Sequence, residues 1–186
     1  MLQLIGDDCN MSNHNGERTA VSRIQPRRAP KQRRSVETRH RILLACVEIL
    51  AESGFETLTT NAIASRAGVS ITSLYHQFPN KPAALRELYR NWLGAVLDNM
   101  DRLEREQLGT VEWSEFFRGL EHTAEVTWID AASAGMLRAS AASIPELRSV
   151  EAEYRRKVEE RLARYLKHYG SRLSEEELLG AAHTLN

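Results

Sequence analysis

The sequence predicts an all-α protein of one ordinary domain or two small ones in its 186 residues. Three observations lead to this. Apolar residues recur every three or four positions in successive segments, as on the buried face of a helix. No segment alternates apolar and polar residues over the length of a strand. Gly, Pro, Asn, Ser and Thr fall at the ends of the apolar segments, where helices begin and end.

The charge of the chain is unevenly distributed, although Lys and Arg equal Asp and Glu at 25 each. Residues 1–17 carry three acids and no Lys or Arg. Residues 18–91 carry 13 basic residues against 5 acids, a net +8, and residues 92–186 carry 12 against 17, a net −5. A basic segment joined to an acidic one indicates that only the basic part contacts a polyanion.

Several protein classes are disfavoured by what the sequence lacks. No run approaches the roughly 20 apolar residues of a membrane span, and the N-terminus has acids where a signal peptide has bases. We therefore expect no membrane partner and a cytoplasmic location. Cys9 and Cys46 are too few for a disulfide scaffold or a structural zinc site, and Cys46 is expected to be buried. Without a Gly-rich phosphate loop or a paired metal motif, neither a cofactor, a metal site nor an enzyme is predicted.

Residues 1–34 are predicted to be a disordered, Arg-rich tail, since they contain few large apolar residues and no helical period. Either Met1 or Met11 could be the start of the protein. The arginines from Arg18 to Arg41 could form an arm that contacts phosphates or enters a minor groove. The preferred alternative is a solvated tail that strengthens binding only non-specifically.

The first helix is predicted from Val36 to Ser53, with Gly54 as its left-handed C-cap. Thr59 then caps a short helix that Gly68 ends, and Ser70 caps a second one. The inward face of these three helices is predicted to contain Ile42, Ala45, Cys46, Ile49, Leu50, Ile63, Ala64, Ala67, Leu74 and Phe78.

Five further helices follow in the prediction. Asn80 caps a long one that runs to about Glu106, and a second extends from about Val111 to Trp128. The others are Ala131–Ala142, a helix from Pro145 to Tyr169, and a last one from Ser174 of about three turns. On the fourth of these, Glu151–Arg155, Glu153–Lys157 and Glu160–Arg164 are predicted i,i+4 pairs.

The pair of short helices is arranged like a helix-turn-helix, whose second helix lies in the major groove of DNA. If Leu74 and Phe78 point inward, the opposite side of that helix is free for contacts. Hydroxyls can bond phosphates or base edges, an isoleucine can touch a thymine methyl, and Tyr and His suit phosphate oxygens. The residues expected on this side are Ile71, Thr72, Ser73, Tyr75 and His76. Thr59, Thr60 and Lys81 stand at helix N-termini, which attract phosphate.

The stretch ILLACVEILAESGFETLTTNAIASRAGVSITSLYHQFPNKPAAL, within about residues 38–85, resembles the N-terminal domain of the TetR family of transcriptional regulators. The resemblance covers a quarter of the chain. It implies an all-helical homodimer in which three helices bind double-stranded DNA and a divergent helical domain binds a small-molecule effector and dimerises. Most members are repressors that their ligand releases from a palindromic operator.

The resemblance assigns domains and carries DNA contacts over by position. Residues 35–82 correspond to the helix-turn-helix domain and residues 83–186 to the effector and dimerisation domain, which ends short of the last helix through which members usually pair. The contacts carried over are Thr59, Thr60, Ser70, Thr72, Ser73, Tyr75, His76 and Lys81. Two positions depart from the family pattern: Thr72 replaces a small residue, often Gly, and Gln77 replaces a His or another aromatic.

The effector is expected among the bulky residues of the second half, since ligand pockets are mostly apolar with few polar groups. The candidates are Trp113, Phe117, His122, Trp128 and Met136. Each could equally be a core residue, and His122 is expected to be exposed because it shares a helix face with Arg118. The alternative function is that of a nucleoid-type or architectural protein, which binds DNA without an effector and with little sequence preference.

Overall fold

The computed structural model describes residues 29–185, and within this range every regular element is a helix, which confirms the all-α prediction. The elements are α1 (Ala29–Ser53), a 3₁₀ turn (Phe55–Thr57), α2 (Thr60–Arg66), α3 (Ile71–Gln77), α4 (Lys81–Gln107), α5 (Trp113–Glu121), α6 (Ala131–Ala141), α7 (Pro145–His168) and α8 (Glu175–Leu185). We call α1 to α3 the head and α4 to α8 the body. None of the helices in this range is long and apolar enough to cross a membrane.

Helix α1 begins at Ala29, seven residues before the predicted start at Val36, so the prediction of disorder was wrong for residues 29–34. Two contacts support the added turns. Arg33 donates to Glu37 one turn later, over 3.0 Å, and the Gln77 amide donates to the Ser35 hydroxyl over 3.1 Å. The second bond ties the early part of α1 to the end of α3. Residues 1–28 of the predicted tail, with Cys9 and Met11, lie outside the described residues.

The predicted caps of the short helices are confirmed. Thr59 accepts the backbone N–H of Ala62 at 3.1 Å, and Ser70 accepts that of Ser73 at 3.0 Å. The turn between these helices passes through Gly68, whose φ of 61° is costly for a residue with a side chain. The two cap side chains therefore set where α2 and α3 begin, and the turn at Gly68 sets where α2 ends.

The interior of the head is formed by the predicted apolar face of α1 together with α2 and α3. Leu74 and Phe78 are only 1% and 2% exposed, so the middle and the C-terminal end of α3 are anchored. Cys46 is fully buried, and this burial raises the pKa of its thiol to about 12. The apolar interior continues into α4, where Leu85, Leu88 and Tyr89 are buried.

Helix α5 ends at Glu121, seven residues before the predicted end at Trp128. A tertiary contact holds the segment that follows the helix. The side-chain amide of Asn99 on α4 donates to the carbonyl oxygens of Thr123 at 2.9 Å and Val126 at 2.7 Å. These carbonyls are held by another helix, and the chain turns from residue 122 to residue 129 instead of continuing the helix.

Ion pairs join α4 to α7 across about 60 positions of sequence. Arg161 donates two bonds to Asp101, at 2.8 and 3.0 Å. Arg164, which was predicted to pair with Glu160 on its own helix, instead binds Glu104 on α4 at 2.7 Å. The Tyr165 hydroxyl donates to the same carboxylate at 3.0 Å. The local pairs Glu153–Lys157 and Glu151–Arg155 are formed as predicted, at 2.7 and 3.9 Å.

Candidate nucleic-acid interface and body cavity

Helix α3 has one buried side and one open side, as its sequence predicted. Leu74 and Phe78 point into the head, whereas Tyr75 is 50% and Ile71 37% exposed. Thr72 and His76 are also exposed, and Ser73 is half-buried. A helix of seven residues therefore presents an outer surface of hydroxyl, imidazole and phenol groups without any carboxylate.

Two hydroxyl pairs organise this surface. The Thr60 hydroxyl, on α2, lies 3.4 Å from the Tyr75 hydroxyl, and the Ser70 hydroxyl lies 2.8 Å from that of Ser73. Thr59 and Ser70 use their oxygens to accept backbone N–H groups as caps. A hydroxyl that accepts still has a proton to donate, so capping and a phosphate contact are compatible in the same residue.

Lys81 is the first residue of α4, and its ammonium group lies 4.9 Å from the centre of the Phe55 ring. Such a cation–π contact directs the side chain without neutralising its charge. The Asn80 side chain next to it accepts the Ala83 N–H at 2.8 Å and caps α4. Lys81 thus places a charge at a helix N-terminus, the position at which the sequence predicted a phosphate contact.

The sequence interpretation placed Arg39 and Arg41 in the basic arm. In the structure, these two arginines instead bind groups on other helices and support the packing of the head. Arg41 donates to the Ala67 carbonyl at 3.3 Å, at the end of α2. Arg39 forms a two-pronged ion pair with Glu87 on α4 and lies 4.6 Å from the centre of the Phe78 ring. The hydrogen bond from Arg39 is the largest influence on the pKa of Glu87 and lowers it. These roles are visible only in the tertiary structure, because the partners are far apart in the sequence.

The body contains an apolar cavity of about 470 Å³ between α4, α5 and α7, which we call the apolar cavity. Trp113 and Phe117, two of the predicted effector residues, line it. The sequence interpretation did not include Arg138 and Tyr154, which also line it. The rest of the wall is Val96, Met100, Leu120, Glu121, Thr123, Ala124, Val158, Leu162 and Leu166.

The other three predicted effector residues lie elsewhere. His122 is exposed, as expected, and its ring contacts the Glu125 carboxylate at 2.8 Å. Trp128 is 42% exposed and is not part of the wall of the apolar cavity. Met136 is half-buried on α6 and lines a separate depression with Phe55 and Ile144, between the head and the body. The structure therefore brings together two of the five candidates.

Over the part of the chain that the structure describes, no cluster of three or more His, Cys, Asp or Glu side chains could hold a metal ion. The polar groups in the body form hydrogen-bonded pairs between helices, such as that between the Tyr89 hydroxyl and Glu151. Burial and this bond both raise the pKa of Tyr89. These pairs fix how α4 and α7 pack.

Residues 42–88 match the family model described as bacterial regulatory proteins, tetR family. The fatty acid metabolism regulator protein of Bacillus subtilis (strain 168) is 32% identical over 66 residues, which cover 36% of this chain and 34% of that protein. The match thus spans about one third of the length of that relative.

Two solved structures have a similar fold. A transcriptional regulator from Rhodococcus sp. Rha1 aligns with a TM-score of 0.62 and 21% identity, over 79% of this chain and 80% of that chain. A TetR-family transcriptional regulator from Marinobacter aquaeolei VT8 aligns with a TM-score of 0.62 and 20% identity, over 80% of this chain and 74% of that chain. The match to the tetR family model covers the whole helix-turn-helix, and the similarity in fold to these two regulators extends through the body.

Proposed function

We propose that this protein is a sequence-specific DNA-binding repressor that a small-molecule effector releases from its operator. The observation that carries the proposal is the division of α3 into an anchored and an open side. Leu74 and Phe78 hold the helix in the head, and the Tyr75 side chain is half exposed on its outer surface. A helix held in this way can enter a major groove while its buried side stays packed in the head.

The DNA contacts follow from the groups on this surface. Ile71, Thr72, Tyr75 and His76 face the base edges and the nearest phosphates. Phosphates are held near the helix N-termini of α2, α3 and α4, through Thr59, Thr60, Ser70, Ser73 and Lys81. The hydroxyl pair of Thr60 and Tyr75 joins α2 to α3, so the phosphate-contacting and base-contacting helices keep one relative position.

The domain boundary of the proposal lies near residue 82. Residues 35–82 would bind DNA, and residues 83–186 would bind the effector in the apolar cavity and pair with a second copy. Helix α4 starts at this boundary and forms one wall of the cavity, so a displacement of α4 would move the head that precedes it. The effector would then act by shifting the population between binding and non-binding arrangements of two heads.

Selection of bound fragments from a random pool of duplex DNA tests the proposal. A repressor that works as a homodimer should select a palindrome with half-sites spaced by about one helical turn, 10–10.5 bp. It should bind that sequence about 10³–10⁷ times more tightly than random DNA. A pool that shows no preferred sequence would contradict the proposal and favour non-specific DNA binding.

The Tyr75→Ala variant tests the assignment of the surface. We expect operator affinity to fall by roughly tenfold, since a lost groove contact costs about 1–3 kcal/mol, while the helical circular dichroism stays unchanged. Trp128→Ala is the matched control, because Trp128 is an exposed aromatic of the body, and its operator affinity should equal that of the wild type. Unchanged affinity in a folded Tyr75→Ala protein would rule out this contact map.

A further inference from the structure

Arg138 lies where two cavities of the body meet. It lines the apolar cavity, and it also lines a second cavity of about 670 Å³ beside α6 and α7. The second cavity, which we call the charged cavity, contains the guanidinium groups of Arg138, Arg148, Arg155 and Arg156 and the carboxylates of Glu151 and Glu159. A molecule that occupied both cavities would contact an apolar wall at one end and a mainly cationic wall at the other.

The guanidinium of Arg138 is positioned by aromatic rings. Its central carbon lies 5.3 Å from the ring centre of Trp92 and 6.0 Å from that of Tyr154. Both rings belong to buried residues, so the guanidinium lies beside two rings whose positions are fixed by packing. Arginine stacks on aromatic faces in this way and keeps its hydrogen-bond donors at the edge of its plane.

Arg138 differs from the arginines that join the helices of the body. Arg161 and Arg164 have carboxylate partners within 3.0 Å, on Asp101 and Glu104. Among the described residues, no carboxylate oxygen lies within 4.0 Å of the Arg138 guanidinium. The nearby Glu151 instead accepts the Tyr89 hydroxyl. The Arg138 guanidinium also interacts with the hydroxyls of Tyr89 and Tyr154. Part of the side chain is exposed, so the remaining donors can reach a ligand.

We propose that the effector is an amphipathic anion, whose apolar chain occupies the apolar cavity and whose anionic head binds Arg138. This inference rests on the proposed effector role of the body and names the chemistry of the ligand. The wall against the chain would be Val158, Leu162 and Phe117. The cavity of about 470 Å³ is within the roughly 300–1,000 Å³ of small-molecule sites.

The charges around the two cavities favour an anion over a cation. Among the described residues, Glu121 at the end of α5 is the one carboxylate in the wall of the apolar cavity. In the wall of the charged cavity, Arg155 pairs with Glu151, and Arg156 pairs with Glu160 outside the wall, whereas Arg138 and Arg148 have no carboxylate of the described residues within 4.0 Å. Arginine also forms the stronger, two-pronged hydrogen bonds to carboxylate and phosphate heads.

Binding to four probes with the same decyl chain tests the inference, by calorimetry and tryptophan fluorescence and without DNA. Trp92 beside Arg138 and Trp113 in the wall report occupancy. Decanoate and decyl phosphate distinguish the two sources of negative charge, and the tighter of them identifies the head group. Decan-1-ol and decyltrimethylammonium provide the neutral and cationic comparisons. We expect at least one anion to bind about tenfold or more tightly than both of these.

The Arg138→Gln variant should weaken binding of that anion by about 10- to 100-fold, the loss expected for hydrogen bonds to a charged group, and leave decan-1-ol unchanged. Arg118→Gln is the control, because Arg118 is exposed and lies outside the walls of both cavities. If decyltrimethylammonium bound best, or if the anion bound Arg138→Gln as tightly as the wild type, the inference would be overturned.

Binding to DNA is measured separately, on the palindrome selected above. A protein that binds its operator but none of the decyl anions would refute the inference and leave the DNA-binding function standing. A protein that binds the anion through Arg138 but no DNA sequence would support the ligand site and refute the repressor. The two failures can therefore be told apart.

Discussion

The caps of the two short helices in the head act within three residues, whereas ion pairs in the body join helices about 60 positions apart. Thr59 and Ser70 cap the helices that follow them, while Asp101–Arg161 and Glu104–Arg164 connect α4 to α7. An isolated helix of seven residues is unstable in water. Helix α3 therefore depends on its two apolar anchors and its cap.

This difference leaves the two regions suited to different tasks. Because the caps of the head act locally and Leu74 and Phe78 hold α3 from its inner side, the outer surface of α3 stays exposed and can contact DNA. The body uses its polar groups between helices, so its helices keep a defined packing around the apolar cavity. The following four variants test this comparison, from the largest expected effect to the smallest.

Leu74→Ala should have the largest effect, because Leu74 is almost completely buried and anchors α3. Truncation of a buried leucine costs about 2–5 kcal/mol. Urea unfolding followed by circular dichroism measures the loss. Ile71→Ala, on the same helix but on its open side, should change the free energy of unfolding by less than about 0.5 kcal/mol. Equal losses in the two variants would mean that α3 lacks the proposed sidedness.

Arg161→Met removes both hydrogen bonds between α7 and Asp101. We expect the free energy of unfolding at pH 7 to fall by about 1–2 kcal/mol, since bonds to charged groups contribute more than neutral ones but this pair is partly open to solvent. Urea unfolding of the variant and the wild type gives the difference. A stability equal to that of the wild type would show that the pair does not hold α4 against α7.

The same pair predicts a pH dependence. The hydrogen bond from Arg161 is the largest influence on the pKa of Asp101 and lowers it in the folded protein. The pair therefore stabilises the fold fully above the unfolded pKa of about 3.9, and the contribution is lost as the pH falls through the folded value. The stability difference between wild type and Arg161→Met should stay constant from pH 7 to about 4 and shrink below that. A difference that grew in acid would have the wrong sign.

Asn80→Ala should destabilise the protein by about 1 kcal/mol, because it removes the cap of α4 at the junction of head and body. Thermal unfolding measures the change. Asn80→Ser is the matched control, since a serine can accept the same N–H and should retain most of the stability. If the serine variant lost as much as the alanine variant, capping would not explain the role of Asn80.

Arg66→Gln should have the smallest effect, although Arg66 contacts Glu52 at 2.5 Å and Glu48 at 3.4 Å. All three side chains are exposed, and surface ion pairs of this kind contribute little and are screened by salt. The midpoint of thermal unfolding should match that of the wild type at high salt. A persistent loss at high salt would show that the head, like the body, relies on ion pairs between helices.

Most of the helix order was predictable, because each helix carries its own boundary signals. Thr59, Ser70 and Asn80 were assigned as caps from the sequence and form those caps in the structure. Both errors in helix length fall next to tertiary contacts that the sequence does not reveal. Asn99 on α4 binds carbonyls of the turn after α5, and Ser35 on α1 bonds to Gln77 at the end of α3.

The sites were predictable to different degrees. The outer side of α3 followed from the spacing of Leu74 and Phe78, since two anchors four positions apart define which side of a helix is buried. The wall of the apolar cavity did not follow in the same way, because four separate helices contribute to it. Arg138 in particular lies on a segment of small residues with no local signal for a ligand.

The sequence by itself determined the helices, their caps and the free side of α3, because these depend on residues three or four positions apart. Tertiary structure alone decided that Arg164 pairs with Glu104 instead of Glu160, that Arg39 supports Phe78, and that Arg138 stands between two cavities. Each of these depends on which distant helices become neighbours. Which helices become neighbours depends on how the apolar residues of the whole chain pack, so it cannot be derived from a short stretch of sequence.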